Sequence, residues 1–406
     1  MERYPSYKPS GIYFLPDLPK HWKTRKAKYL FKEENRPVRP DDEIVTCFRD
    51  GQVTLRKNRR TEGFTNSLKE IGYQGVRKGD LVIHNMDAFA GAIGISDSDG
   101  KATPVYACCT PKTSEVNQFY YCYLLRYLAR NGFIISLAKG IRERSTDFRF
   151  NDFKELYLPI PSREEQDAIV SYIDTATAKI DAAIAQQQKM IDLLNERKQI
   201  IINRAVTKGL NPNAKMKDSG VEWIGEVPEH WEVRSFKTMM AIQRGHDLTA
   251  EEFKMGEIPV YGSGGLMGFH NVVTSKGPSI VIGRSGSVGK LQYIEEDFWA
   301  HNTAIYLTDN KGNDTKYLYY LLKSVDLSAL ATQTAVPTLD RKNVLSYKVP
   351  CCLDKIEQEE ISHYLDGVLS KIDQMISTVN GKISFLQERK QIIINEVVTG
   401  KVKICK

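Results

Sequence analysis

The chain has 406 residues, more than the roughly 250 to 300 at which a single hydrophobic core stops growing, so at least two domains are expected. Hydrophobic residues make up 41% of the chain and charged residues 26%, a balance that excludes a mainly disordered protein. The formal charge is +7, and basic residues cluster in RKNRR at 56–60 and IRER at 141–144, which makes nucleic acid a candidate partner.

Targeting signals and disulfides are not expected. No apolar run approaches the roughly 18 to 20 residues of a membrane span, and the N-terminal MERYPSYKPSG lacks the apolar stretch of a signal peptide. We therefore expect a cytoplasmic protein without a membrane partner. The seven cysteines are odd in number, form two adjacent pairs and show no CxxC spacing, which indicates free and mostly buried thiols.

A tandem repeat organises the chain. SGIYFLPDLPKHW at 10–22 aligns without a gap with SGVEWIGEVPEHW at 219–231, an offset of 209 residues. Further matches follow in the same order: DLVIHNMDAFAG (80–91) with SIVIGRSGSVGK (279–290), LYLPIPSREEQ (156–166) with YKVPCCLDKIEQ (347–358), and ERKQIIIN (196–203) with an unchanged copy at 388–395. The final offset is only 192, so the first copy carries extra residues. Two related domains are predicted.

The globular part of each copy has strand-like and helix-like segments. Short Val-, Ile- and Tyr-rich runs between turn residues predict strands: EIVTCF, DLVIH, AIGIS and PVYAC in the first copy, and IPVYG, SIVIG, KLQYI and TAIYL in the second. One helix is predicted in each copy, near 118–130 and 316–324. The HW pairs at 21–22 and 230–231 are expected to pack the start of each domain against a helix.

Each copy ends in a segment with a seven-residue apolar repeat. In the first copy the repeat runs from Ile173 to Ile201, with a second series through Ala176, Ala183 and Met190; it recurs 192 residues later. The pattern predicts two long helices that form a coiled coil, and ordinary packing against a core is the alternative. Polar residues interrupt the predicted seam at four positions: Gln187, Arg197, Lys382 and Arg389.

GRSGSVGK at 283–290 departs from a phosphate-binding loop, because Arg284 and Leu291 stand where glycine and Ser or Thr are required. The alternatives are a structural glycine turn, or a loop whose hydrogen-bond donors approach nucleic acid. Two histidines have an aspartate within four residues, but neither pair has further metal ligands: His84 with Asp87, and His301 with Asp297. No catalytic residue, metal site or cofactor is predicted.

Together these motifs resemble the specificity (S) subunit of type I restriction-modification systems. The resemblance rests on VPEHWEV (227–233) and its copy LPKHWKT, YGSGG followed by IVIGRSGSVGK, LPIPSREEQDAIV and its copy VPCCLDKIEQEEI, and the two ERKQIII helices. It implies an α+β fold in which two mixed α/β target-recognition domains are each followed by a long conserved helix, the two helices forming an antiparallel coiled coil. The implied boundaries are 1–159 for recognition domain 1, 160–205 for helix 1, 206–224 for the linker, 225–350 for recognition domain 2 and 351–402 for helix 2.

The resemblance also implies a function. The chain would be the DNA-recognition subunit of the complex, reading a bipartite site in double-stranded DNA with one half per recognition domain. It would bind two methyltransferase subunits and, through them, endonuclease/translocase subunits, and would itself be non-catalytic. The alternatives are a coiled-coil scaffold that does not bind DNA, and a fused restriction-modification enzyme of another type; the latter needs methyltransferase or nuclease motifs that the sequence lacks.

Candidate site residues fall into two sets. Those expected to contact DNA are Arg56, Lys57, Arg59, Arg60, His84, Asn85, Arg142, Arg144, Ser145, Arg244, Tyr261, Ser263, Arg284, Ser285, Ser287, Lys290, His301, Asn302, Gln333 and Thr334. Those expected at the subunit interface lie in the repeated motif: Glu196, Arg197, Ile200, Ile201, Glu388, Arg389, Ile392 and Ile393.

Overall fold

The computed structural model describes residues 2–59, 70–137, 147–249, 256–334 and 336–404. The chain divides into two compact units: unit 1 comprises Met1–Gln186 with Lys382–Lys406, and unit 2 comprises Gln187–Gly381. Each unit therefore combines the globular part of one repeat with portions of both long terminal segments.

In the first copy, the described elements are strands and helices in the following order: β1 (Tyr7–Ile12), β2 (Leu15–Pro19), β3 (Lys23–Lys26), β4 (Phe31–Glu34), β5 (Val45–Cys47), β6 (Val53–Leu55), β7 (Gln74–Val76), β8 (Leu81–His84), β9 (Ile93–Ile95), β10 (Gly100–Ala102), β11 (Tyr106–Pro111), α1 (Gln118–Arg130), α2 (Phe133–Ser136), α3 (Phe150–Phe153), β12 (Tyr157–Ile160) and α4 (Arg163–Lys208).

In the second copy, the described elements are β13 (Met216–Asp218), β14 (Glu226–Pro228), β15 (Glu232–Ser235), α5 (Phe236–Met239), β16 (Ala241–Arg244), β17 (Ile258–Gly262), β18 (Gly265–His270), β19 (Ser279–Gly283), β20 (Leu291–Ile294), β21 (Trp299–Ala300), β22 (Ala304–Asp309), α6 (Thr315–Lys323), α7 (Arg341–Ser346), β23 (Lys348–Cys351) and α8 (Lys355–Val398). The strands and the two shorter helices predicted from the sequence are confirmed.

Both copies are built on the same antiparallel four-stranded sheet. Its order is β4-β11-β8-β9 in the first copy and β16-β22-β19-β20 in the second. The central strands β8 and β19 are apolar on both faces and largely buried. A helix covers one side of each sheet, and a second, smaller apolar cluster covers the other side. The aromatic face of that helix, α1 or α6, supplies the fully buried Tyr120 and Tyr317. The predicted α+β class is confirmed.

A short antiparallel strand pair joins the two ends of each recognition domain. In the first copy β3 pairs with β12, with Lys23 opposite Ile160; in the second, β15 pairs with β23, with Glu232 opposite Cys351. Because β12 and β23 lead directly into the long helices, the direction in which each helix leaves its domain is fixed by this pair.

The HW motif clamps the first turn of the long helix, as predicted. In unit 1, His21 Nε2 lies 2.9 Å from Glu165 Oε1, and Trp22 Nε1 donates to the same oxygen at 3.3 Å. In unit 2, His230 and Trp231 make the same two bonds to Glu357 Oε2, at 3.0 and 3.1 Å. Burial alone would raise the pKa of both glutamates, but hydrogen bonds lower it below its usual range: those from His21 and Trp22 at Glu165, and those from Cys352 Sγ, His230 and Trp231 at Glu357.

The glutamine after each clamping glutamate closes the same junction. Gln166 accepts from the backbone N–H of Asn117, and its amide donates to the carbonyls of Glu115 and Pro161. Gln358 accepts from the N–H of Asp314 and donates to the carbonyl of Cys352 and to Asn313 Oδ1. Both glutamines are fully buried, so each ties the start of its long helix to the loop before α1 or α6.

The two long helices run antiparallel in each unit. In unit 1, Ile173 near the start of α4 and Val398 at the end of α8 belong to one core, and Lys390 Nζ contacts Asp181 at 2.7 Å. In unit 2, Ile202 near the end of α4 and Leu365 near the start of α8 share a core, and Lys198 Nζ contacts Asp373 at 2.6 Å. The antiparallel coiled coil implied by the resemblance is present.

The seam differs from the predicted one at its second position. Met190 is 51% exposed whereas the adjacent Ile191 is 7% exposed, and Met375 is likewise exposed. The second series therefore runs through Thr177, Ile184 and Ile191, one residue later than predicted, because the buried positions alternate steps of four and three. Of the polar residues predicted in the seam, Gln187 is half-buried, whereas Arg197, Lys382 and Arg389 are exposed, so those three assignments were wrong.

The cysteines within the described ranges, Cys47, Cys108, Cys109, Cys122, Cys351 and Cys352, are free and buried. Burial raises the pKa of the Cys351 thiol to about 11, so it is protonated at neutral pH. Across the same ranges, no helix combines the length and apolar character that a membrane span requires.

Candidate nucleic-acid interface

Predicted residues of the second recognition domain meet at one edge of its four-stranded sheet. The backbone N–H of Arg284 donates to the carbonyl of Thr303 at 2.9 Å, and the N–H of Ser263 donates to Thr303 Oγ1 at 3.2 Å. His301 Nδ1 lies 2.9 Å from the same hydroxyl. The loop after β17, the loop after β19 and the turn before β22 therefore converge on Thr303.

The glycine-rich loop at 283–290 joins two antiparallel strands, β19 and β20. A phosphate-binding loop instead leads from a strand into a helix, so the nucleotide-binding alternative does not fit. A Cβ atom at Gly283 would lie 1.9 Å from the carbonyl oxygen of Ser287, which only glycine avoids. Lys290 Nζ donates to the carbonyl of Gly264 at 2.5 Å and so holds this loop against the YGSGG turn.

Neighbouring loops extend the same surface. Arg244 pairs with Asp247 at 3.2 Å, and Asn302 also donates to that carboxylate; this hydrogen bond, and then the charge of Arg244, lower the pKa of Asp247. On the other side, Ser285 pairs with Thr338 through a backbone bridge, which places the predicted 333–334 turn beside the glycine-rich loop.

The charges of this surface are largely uncompensated. Within the described ranges, no carboxylate lies at ion-pair distance from Arg284 or Lys290, although Tyr261 does hydrogen-bond to Glu296 at 3.1 Å. Exposed cations beside hydroxyl and amide donors are the groups that contact phosphate oxygens and base edges.

In the first recognition domain, three of the predicted basic residues are engaged within the chain. Lys57 pairs with Glu43 at 2.5 Å and Arg59 with Asp50 at 2.7 Å, while Arg56 Nε donates to Thr46 Oγ1. These ion pairs are exposed, so they are weak and available for exchange with phosphate. Arg60, Arg142, Arg144 and Ser145 lie outside the described residues.

The adjacent His84 and Asn85 reach different surroundings. His84 packs edge-on against Tyr106, and burial lowers its pKa despite Asp87 nearby. Asn85 lines a cavity of about 620 Å³ together with Tyr106 and Arg149, and its Oδ1 is buried without a hydrogen-bond partner among the described residues. A residue that lines this cavity therefore carries a buried, unsatisfied acceptor.

The ERKQIIIN motif ends each long helix in the same way. Its third residue makes the interhelical ion pair, as Lys198 or Lys390, and its seventh residue is buried in the recognition-domain core, as Ile202 or Ile394. Other residues of the motif face outward: Ile200 is 58% exposed and Ile392 47%, and Glu196, Arg197, Glu388 and Arg389 are exposed. Ile201 and Ile393 are half-buried. One side of the motif thus packs against the partner helix and the recognition domain, which together with the clamp form the frame of each unit, and the other side is exposed to solvent.

Sequence comparisons agree with this architecture. Residues 228–383 match the sequence profile of the type I restriction modification DNA specificity domain. The type I restriction enzyme MjaVIII specificity subunit of Methanocaldococcus jannaschii is 25% identical over 72% of each chain, and the putative MjaX specificity subunit of the same organism is 23% identical over 72% of this chain and 70% of that one. The chain is therefore similar to type I restriction-modification specificity subunits, and residues 228–383 match their DNA specificity domain.

Two solved structures share the fold. A chain from a study of complex assembly and conformational transition in a type I R-M system matches with a TM-score of 0.71 at 13% identity, covering 95% of this chain and 99% of that one. The HsdS subunit of Thermoanaerobacter tengcongensis matches with a TM-score of 0.50 at 15% identity, covering 95% and 98%. The tandem recognition domains and long helices are thus common to these proteins.

One feature of this chain was missed in the sequence. Strand β18 carries large apolar side chains that face solvent: Leu266, Met267 and Phe269 are 53%, 52% and 52% exposed. The strand directly follows the YGSGG turn, so these side chains border the surface around Thr303. Their alternation with glycine was the available signal, but an exposed apolar strand has the same composition as a buried one. Among the described residues, no cluster of three or more His, Cys, Asp or Glu could hold a metal ion.

Proposed function

We propose that this specificity subunit reads a bipartite DNA site, one half with each recognition domain, and holds two methyltransferase subunits at the repeated helix ends. The observation that carries the proposal is that the two copies repeat their frame residue for residue while their loops differ. The clamping glutamate, the buried glutamine and the interhelical Lys–Asp pair all recur at an offset of 192, and the tryptophan that binds the glutamate recurs at 209. Two equivalent frames can bind two copies of the same methyltransferase subunit. Two different sets of loops can recognise two different DNA half-sites.

In the second domain, the loop residues divide into two roles. Arg284 and Lys290 contact phosphates or guanine edges, and Ser285, Ser287, Asn302, Gln333 and Thr334 supply shorter donors and acceptors. Leu266, Met267 and Phe269 are placed to contact thymine methyl groups in the major groove. In the first domain, the corresponding contacts come from the basic 3₁₀ turn Arg56–Asn58 with the adjacent Arg59, and from the cavity beside Asn85.

At the helix ends, the outward residues of the two motifs form the methyltransferase-binding surfaces. Ile200 and Ile392 supply an apolar contact, and Arg197 and Arg389 lie one turn before each. Methyl transfer, ATP hydrolysis and cleavage belong to the bound subunits, and endonuclease subunits join through the methyltransferases.

A domain exchange tests the proposal. Residues 232–349 are replaced by the matching domain of another specificity subunit, and the chain is coexpressed with its cognate modification subunits. Methylome sequencing should then show adenine methylation at a bipartite motif with one half changed and the other retained. A change in both halves would contradict one-domain-per-half recognition, and the absence of any methylated motif with the unaltered chain would refute the assignment.

Gel shifts separate this proposal from a scaffold that binds no DNA. The assembled complex should bind DNA with an affinity that falls steeply as salt rises, because phosphate contacts release counterions. Assembly with modification subunits but no DNA binding at low salt would favour the scaffold.

A further inference from the structure

The two units have equivalent grooves beside the end of a long helix. In unit 2, a groove of about 650 Å³ is lined by Arg204 and Lys208 from the end of α4 and by Met216 and Glu226 from the β13–β14 hairpin. In unit 1, a groove of about 530 Å³ is lined by Glu396 and Lys401 from the end of α8, and by Tyr7 and Asp17 from the β1–β2 hairpin.

The frames of the two grooves correspond closely. Met216 is opposite Pro228 in one hairpin, and Tyr7 is opposite Pro19 in the other, at the offset of 209 seen in the sequence. A glycine with positive φ follows each helix and lies against the buried tryptophan of the HW motif: Gly209 against Trp231, and Gly400 against Trp22. The grooves are therefore two copies of one structural feature.

Their charges differ at one position on the helix. Position 204 is arginine and its equivalent, position 396, is glutamate. Elsewhere the signs match, with an acid on each hairpin (Glu226 and Asp17) and a lysine at or just beyond each helix end (Lys208 and Lys401). Arg3 also lines the unit 1 groove, so its charged lining residues balance, whereas those of the unit 2 groove leave one net positive charge.

The inverted charge lies beside the surfaces proposed for the methyltransferase. Position 204 or 396 comes four residues, about one helical turn, after the exposed Ile200 or Ile392, and so lies on the same helix face. Two copies of one partner would present the same segment to both grooves. A single segment cannot be equally complementary to arginine and to glutamate.

We propose that the two helix-end grooves bind an acidic segment of the modification subunit with unequal affinity, the unit 2 groove more tightly, and that positions 204 and 396 set the difference. This inference rests on the proposed function. An acidic segment is attracted by the positive groove and tolerated by the balanced one. A basic segment would be repelled by the unit 2 groove and would not be attracted by the unit 1 groove. It is therefore less compatible with a chain that binds two modification subunits.

Titration of the full-length chain with its cognate modification subunit, followed by native mass spectrometry and calorimetry, tests this inference. The unaltered chain should bind two copies in two steps whose dissociation constants differ by about tenfold, since opposing charges at an interface edge change affinity on the order of 1 kcal/mol. Glu396→Arg should tighten the second step until the two are within about threefold. Arg204→Glu should weaken the first step about tenfold, to the affinity of the unit 1 groove, and should weaken the second step as well, because the unit 2 groove then carries a net negative charge.

Lys189→Glu, a charge reversal at an exposed position of α4 outside both grooves, is the matched control and should leave both steps unchanged. Equal dissociation constants for the two steps of the unaltered chain would overturn the inference, and so would dissociation constants that neither substitution changes. Tighter binding by Arg204→Glu together with weaker binding by Glu396→Arg would overturn the assignment of an acidic segment. Failure to bind any modification subunit would instead refute the proposed function.

Discussion

The frame and the loops of the two units have diverged to very different extents. The clamp formed by Trp22 and Glu165 has an atom-for-atom counterpart in Trp231 and Glu357, although the sequences between them share little. By contrast, the hairpin β5–β6, which takes the place of β17–β18 in the first copy, lacks the YGSGG sequence, and its strand β6 is mostly buried where β18 is exposed. The buried junction with the helices therefore constrains the sequence more strongly than the loop surfaces do.

The largest expected effect comes from removing the tryptophan of either clamp. Trp22 and Trp231 are fully buried, and Trp→Ala in a core costs about 3 to 5 kcal/mol because it leaves a cavity. We expect Trp231→Ala to destabilise unit 2 and Trp22→Ala to destabilise unit 1, by similar amounts. Hydrogen exchange measured by mass spectrometry on peptides of each unit will locate the loss. Much smaller protection changes for one tryptophan would show that the two clamps are not equivalent.

A more selective effect is expected on the loop surface. Phe269→Ala removes an exposed apolar side chain, so stability should change by less than about 0.5 kcal/mol. If β18 contacts a base, binding of the assembled complex to its site should weaken by about 1 to 3 kcal/mol, with relaxed preference in one half-site only. Competition binding with half-site variants measures this. Tyr13→Ala, another exposed aromatic but on the β1–β2 turn, is the control and should not alter either half-site.

Acid should weaken both clamps. The pKa values of Glu165 and Glu357 are lowered in the folded protein, so their contribution to stability is present above the unfolded pKa of about 4.3 and is lost as pH falls through the folded value. Glu357→Gln should therefore reduce stability at pH 7, by about 1 to 3 kcal/mol if the charged hydrogen bonds are lost, and should flatten the decline below about pH 4.3. Thermal melting across pH 3 to 7 measures both. A pH profile of stability that Glu357→Gln leaves unaltered would mean that the carboxylate charge does not stabilise the folded protein.

Much of the frame was predictable from the sequence, because identical motifs mark it. The repeated HW and ERKQIIIN motifs located the clamp and the helix ends, and apolar runs located the central strands. The prediction of the seam was wrong at its second position because Met190 and Ile191 are both apolar, so the sequence does not show which of them is buried. The packing of Ile173 and Ile202 against the recognition domains sets the rotation of the helix and so buries Ile191. The convergence of loops on Thr303 was not predictable, since residues 263, 284 and 301 meet only through strand pairing that is distant in sequence.

The smallest expected effect concerns the interhelical ion pairs. Lys198–Asp373 and Lys390–Asp181 are equivalent pairs at 2.6 and 2.7 Å. Their aspartates are exposed and their lysines half-buried, so each pair should contribute only about 0.2 to 1 kcal/mol. Asp373→Ala should therefore lower the melting temperature slightly, and a double-mutant cycle with Lys198→Ala should give a small coupling energy that falls as salt is raised. The same cycle on Asp181 and Lys390 should give a matching value. A coupling energy well above about 1 kcal/mol in one unit alone would show that the two ion pairs are not equivalent.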